Sequence, residues 1–287
     1  VLRWLKRILV SVLSIYFALV VYIYAGQKSL IFRPVGEGTL TPKDFSLTYE
    51  DLSFPSFDKV SLHGWFIPKT DYQTTQEKRS LVYCHGNAGS LSSLANVTKI
   101  FNNYGFETLF FTYRSYGSSD QGELAELNVI GDAVAAYDLL KQKRPNQKIY
   151  AWGHSLGASV CAGLSLQRPL NGLILEAPFY SIPSMAGYKY PWAPVFPSLM
   201  FDQFPTGYFV QHRLNRTPLL LMHSRKDTII PFTEGEKVFQ TASEPKHFKE
   251  LQNIDHNDFP DISEQYKPII LKWVDDSEKK FFDDKSK

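Results

Sequence analysis

Short apolar runs separated by helix-length amphipathic stretches constrain this chain more than any other feature. The runs are "SLVYC" ending at Cys84, "FETLFF" ending at Phe111, "KIYAW" ending at Trp152, "NGLILEA" ending at Ala177, "PLLLMH" ending at His223 and "HFKEL" ending at Leu251. Between or after them, segments 91–103, 124–143, 156–167, 232–241 and 262–275 space their apolar residues at a helical period. Strands buried on both faces read as unbroken hydrophobic runs, and the intervening helices cover those faces. The pattern predicts an α/β fold, a mostly parallel twisted sheet with helices on both sides.

Other segments depart from that rhythm. From Leu47 to Pro68, polar and apolar residues alternate around a turn, which predicts an antiparallel hairpin at a sheet edge. Residues 70–79, "TDYQTTQEKR", read as a polar surface loop, and "EKKFFDDKSK" at the end reads as a solvated tail. Residues 178–216 form an insertion rich in aromatics and prolines. It is either a packed excursion closing the top of the sheet or a short lid whose Tyr180, Tyr188, Trp192 and Phe196 line an apolar substrate pocket or touch a bilayer.

Composition removes several function classes. A net charge of +2 with interspersed signs gives no field that would gather nucleic acid. Two cysteines, Cys84 and Cys161, are too few for a disulfide framework and lack zinc-ligand spacing; both fall in apolar runs and read as buried inert thiols. No metal or organic cofactor is expected.

The amino end adds a membrane element. After Arg3, Lys6 and Arg7, residues Ile8–Ala25 carry no charge and no proline. At about 1.5 Å per residue this stretch reaches roughly 27 Å, close to a bilayer core of about 30 Å. A cleaved signal peptide is the rival, but the exit "YIYAGQ" lacks a good small-x-small site. The expected organisation is an anchor over residues 1–27 and one catalytic domain over 28–287, with the amino end cytoplasmic and the domain on the opposite side.

Chemistry enters at "YAWGHSLGAS". Ser155 sits between Gly153 and Gly157 directly after a strand run and before a small-residue helix, the context of a nucleophile elbow. A serine hydroxyl needs a base and a group to orient that base. In a doubly wound sheet, reactive groups gather at the carboxyl ends of strands. Asp227 follows "PLLLMH" and is the predicted orienting acid, with Glu176 and Asp258 as rivals. His256 follows "HFKEL" and is the predicted base; His63, His85, His154, His212, His223 and His247 are less suitably placed. The glycine-rich turn in "YCHGNAGS" offers backbone amides of Asn87, and of Ala88 as a further candidate, which with the amide of Leu156 would form an oxyanion hole.

Taken together, "HGNAG", "GHSLG", "EAPF", "RKDTIIP" and "DHND" behind one amino-terminal span resemble the membrane-anchored branch of the α/β-hydrolase-domain family, from about Ser29 through Trp273. The resemblance implies an α/β-hydrolase fold and hydrolysis of lipid esters, acyl thioesters or related acyl compounds, acylated proteins included, by Ser155, Asp227 and His256. Where the family commonly places Asp before Tyr-Arg, this chain has Thr112, a departure in a local contact. The expected activity is a membrane-tethered serine hydrolase of carboxylic esters or thioesters. Acyl transfer, peptide-bond cleavage, a non-catalytic binding module and a partner-binding surface are the alternatives. A domain released from residues 1–27 is expected to act on soluble short-chain esters.

Overall fold

The computed structural model describes residues 2–69 and 78–283, with side chains as far as residue 279. The chain opens with α1 (Leu2–Ala25) and the short α2 (Gln27–Ile31), followed by the strands β1 (Glu50–Pro55) and β2 (Ser61–Ile67). There follow β3 (Arg79–Cys84), α3 (Ala95–Asn103), β4 (Phe106–Phe111), α4 (Glu126–Lys143), β5 (Lys148–His154) and α5 (Leu156–Leu164). After β6 (Gly172–Glu176) the insertion carries α6 (Ile182–Lys189) and α7 (Thr206–His212). The remainder is β7 (Leu219–Ser224), α8 (Phe232–Thr241), β8 (Lys246–Leu251) and α9 (Phe259–Asp283).

The strands make one eight-stranded sheet in the order β1-β2-β4-β3-β5-β6-β7-β8. β1 and β2 pair antiparallel through residues such as Asp51 and Trp65, and β2 meets β4 antiparallel. Every pairing from β4 to β8 is parallel. This is an α/β-hydrolase fold, and the predicted hairpin is its antiparallel edge.

Burial explains which runs became strands. All positions of β3, β4, β6 and β7 are buried, as unbroken apolar runs require, whereas the edge strands β1 and β8 alternate with solvent. One core layer packs α4, α5, α7 and α8 on one face of the sheet, and a second packs α3 and α9 on the other. Each fully buried Leu or Phe contributes about 1.5–3 kcal/mol relative to exposure, so the central strands dominate the stability of the sheet.

Three expectations need correction. The polar loop lies outside the described residues apart from Lys78 and Arg79, and Arg79 is buried at the start of β3. There it pairs with Glu278, at 2.9 Å from Nε to Oε1, and Tyr150 Oη donates to the same carboxylate at 2.7 Å. The final segment through Asp283 therefore continues α9 instead of starting a solvated tail at Glu278, because a buried guanidinium holds that carboxylate. Cys84 and Cys161 are bonded to each other as a disulfide, not free thiols. Neither apolar run reveals this in sequence, because the end of β3 and the middle of α5 meet only when the elbow folds back over the sheet.

Candidate active site

Ser155 occupies the turn between β5 and α5 with φ 57° and ψ −120°, backbone that a side-chain-bearing residue rarely adopts. Close packing sustains it. A Cβ on Gly153 would collide with the Gly157 carbonyl, and one on Gly157 would collide with the Cys84 carbonyl. The two glycines thus let the elbow press against the end of β3. The Ser155 amide donates to the Glu176 carbonyl at 3.0 Å, tying the turn to β6. The disulfide fastens the same two elements, the end of β3 and α5.

Asp227 and His256 meet from the loops after β7 and β8. His256 Nδ1 lies 2.7 Å from Asp227 Oδ2. The other oxygen, Oδ1, accepts the amides of Ile229 at 2.9 Å and Ile230 at 2.7 Å, so the carboxylate cannot rotate away without losing backbone bonds. His223 Nε2 lies 3.2 Å from Oδ2 and 3.0 Å from the Ile230 carbonyl. Burial acts to raise the Asp227 pKa, but hydrogen bonds from His223 and His256 outweigh it and hold the carboxyl well below its usual range. The loops are joined again where Thr228 donates from its amide and its hydroxyl to Asp255.

Burial lowers the His256 pKa, and the neighbouring His154 lowers it further, against the opposing pull of Asp227. The His154 and His256 rings lie 4.8 Å apart at 46°. His154 Nδ1 is 3.0 Å from Glu176 Oε1, close in distance but off the direction of a hydrogen bond. Burial works to lower the His154 pKa, and the Glu176 charge prevails and raises it. Glu176 also accepts from Trp152 Nε1 at 2.9 Å, and Asp258 accepts the Asp255 amide at 3.0 Å. Both rival carboxylates are thus engaged away from His256 Nδ1. The structure brings His256 to Asp227 and makes no direct hydrogen bond between Ser155 Oγ and His256.

The turn after β3 is held from the loop following β4. Tyr113 Oη donates to the His85 carbonyl and Tyr116 Oη to the Asn87 carbonyl, each at 2.9 Å. That second loop is itself pinned by Arg114, whose guanidinium is buried between Asp132 at 2.7 Å and Asp58 at 2.7 Å. Thr112, at the position where Asp was expected, bonds Ser119 within the same loop. Among the described residues the amides of Asn87 and Leu156 donate to no other group, and both residues border one cavity with Ser155. Ala88 is exposed and does not line that cavity, because the turn carries its residue outward.

The cavity measures about 350 Å³. Its walls come from the insertion, from Ile229 and Ile230, and from α1 and α2 through Val20, Ile23, Tyr24, Gln27 and Leu30. None of the four aromatics expected there lines it. Tyr180 packs over Gly207, while Tyr188, Trp192 and Phe196 are largely exposed on the outside of the insertion. Their neighbours Phe179, Lys189, Tyr190 and Val195 face inward instead. Sequence composition marked the segment correctly but not its facing, because an irregular chain has no period from which to read one.

His223, Tyr113 and Tyr116 were not foreseen as parts of the site. His223 carried a signal, since it ends a strand four residues before Asp227.

A family model described as serine aminopeptidase, S33, matches residues 75–209. An uncharacterized protein of Mycobacterium tuberculosis is 30% identical over 83% of this chain and 83% of its own length. A zebrafish (Danio rerio) protein named lysophosphatidylserine lipase ABHD12 is 28% identical over 85% of this chain and 75% of its own. Among solved structures, the Pyrococcus furiosus esterase Pf2001 superposes with a TM-score of 0.68 at 20% identity, covering 85% of this chain and 98% of that one. With the fold and these relatives in agreement, the chain belongs to the α/β-hydrolase superfamily, among its ABHD-like hydrolases.

Proposed function

We propose that the protein is a membrane-tethered serine hydrolase that cleaves a carboxylic ester or acyl thioester bearing an apolar acyl group. The observation that carries this reading is the 2.7 Å contact of His256 Nδ1 with Asp227 Oδ2, beside a serine held at φ 57° on the same sheet rim. Asp227 fixes the tautomer with the proton on Nδ1, leaving Nε2 as the acceptor. Ser155 Oγ attacks the carbonyl carbon and passes its proton to His256 Nε2. The amides of Asn87 and Leu156 donate to the oxyanion that forms. The leaving alcohol or thiol departs with that proton, and water then releases the acid by the same route in reverse roles.

The cavity favours an acyl ester over an amino-terminal peptide. Its lining holds Arg33 and Lys189 and no acidic residue, so nothing there would pair with an α-ammonium group. Neither cation has an ion-pair partner among the described residues, and an anionic head group would suit both. The name of the zebrafish relative, a lysophosphatidylserine lipase, points the same way.

Several observations support the tether and its orientation. No residue of α1 is buried, although the helix is long and apolar enough to span a bilayer. Lys28 is paired with Glu123 at 2.8 Å, leaving Arg3, Lys6 and Arg7 as the stronger basic flank and the cytoplasmic one. An orientation with the domain in an oxidising compartment is also the one in which a disulfide such as Cys84–Cys161 persists.

The test is labelling by a fluorophosphonate probe together with release of acid from p-nitrophenyl esters. Ser155→Ala abolishes both. Equal labelling of that variant would overturn the assignment.

A further inference from the structure

The anchor helix is stitched to the insertion along its carboxyl half. Tyr16 Oη donates to the Trp192 carbonyl and Tyr24 Oη to the Pro194 carbonyl, each at 3.0 Å. The buried Gln27 donates to the Leu199 carbonyl at 3.3 Å and accepts the Phe201 amide at 3.0 Å. The same turns of the helix present Val20, Ile23 and Tyr24 to the cavity that reaches Ser155.

Length then fixes depth. At about 1.5 Å per residue, Arg7 to Tyr16 rises roughly 14 Å, and Tyr16 to Ala25 another 14 Å or so, against a hydrocarbon core of about 30 Å. With the basic flank at one interface, the contact between Tyr16 and Trp192 falls near the midplane, and the insertion beside it lies in the leaflet next to the catalytic domain. The outward residues of the insertion suit that solvent: Tyr188, Trp192, Phe196, Leu199 and Phe201 are all exposed. In water they would form a costly apolar patch.

We propose that the substrate is an acyl ester resident in that leaflet. Its chain enters Ser155 sideways, between α1 and the insertion, so the anchor is a specificity-determining wall of the acyl site as well as a tether. The proposal rests on the serine hydrolase reading and deepens it. Residues 1–27 consequently contribute to chain-length selection, and a domain lacking them would have lost one side of its pocket.

The experiment uses the full chain in phosphatidylcholine vesicles, with p-nitrophenyl acetate and p-nitrophenyl dodecanoate as substrates. Ile23→Trp puts an indole into the cavity, and the ratio of kcat/KM for dodecanoate over acetate falls at least tenfold. A ratio within twofold of the parent overturns the proposal. A second measurement needs no cavity variant: the Trp192 fluorescence, taken as the difference between the parent and Trp192→Phe, is quenched by lipids brominated along their acyl chains. Quenching by aqueous iodide alone overturns the proposal. Turnover of both esters by Ser155→Ala would instead strike the hydrolase reading, while the bromine result would still report where the insertion lies.

Discussion

The sheet rim and the layer formed by α1 with the insertion are built in opposite ways. At the rim, each candidate catalytic group is held by several contacts. Ser155 is jammed between two glycine contacts, Asp227 holds two amides besides its histidines, and the turn with Asn87 is held by Tyr116 and lies beside a disulfide. In the outer layer, a few hydrogen bonds to carbonyls join surfaces that are largely apolar and exposed. Under the proposed function, the difference separates chemistry from selection. Bond cleavage needs fixed geometry within a fraction of an ångström, whereas choosing an acyl chain needs only shape and an apolar surround.

That contrast can be broken most sharply at the rim. Ser155→Ala is expected to lower kcat about a million-fold, and Asp227→Asn about ten-thousand-fold by losing the correct tautomer, both measured with a soluble ester. Retention of more than a hundredth of the parent rate in either variant would show that the rim is not where bonds are cut. A smaller effect concerns stability. Cys161→Ala removes a cross-link spanning 77 residues of sequence, and the free energy of unfolding in urea is expected to fall by about 4 kcal/mol. No change would mean that the elbow is held by packing alone.

Finer tests sharpen the account of the rim. Tyr116→Phe deletes the hydroxyl that bonds the Asn87 carbonyl, an interaction worth about 1 kcal/mol, so kcat should fall about fivefold with KM nearly constant. An equal rise in KM would instead place Tyr116 in substrate binding. The pH profile gives the smallest shift. His256 must be neutral to accept a proton, so kcat/KM rises with pH through its pKa, and burial puts that midpoint below the ordinary histidine value of about 6.5. His154→Gln removes the neighbouring ring whose positive form lowers this pKa, and the midpoint should move upward. A downward shift would contradict the proposed influence of His154 on the base.

Much of the fold was legible along the chain. The run "PLLLMH" became β7 and "KIYAW" became β5 because strands buried on both faces tolerate only apolar residues, and that demand is local. The placement of Asp227 and His256, each in the loop just past a strand run, was also legible. The inward-facing residues of the insertion were not, since Tyr190 lines the cavity while Tyr188 and Trp192 point out, and no repeat separates them. Nor was the pairing of Arg79 with Glu278, which joins residues far apart in sequence through a contact between β3 and α9.

By itself, then, the sequence determined the order of strands and helices, the tight turn around Ser155 and the candidate groups that lie just past strand ends, because backbone preference and burial act on neighbours. The three-dimensional arrangement decided which histidines share Asp227, that Cys84 meets Cys161, and that the apolar amino-terminal helix forms one wall of the cavity. Those are contacts between distant segments, set by how layers pack, and nothing in a local pattern encodes the partner.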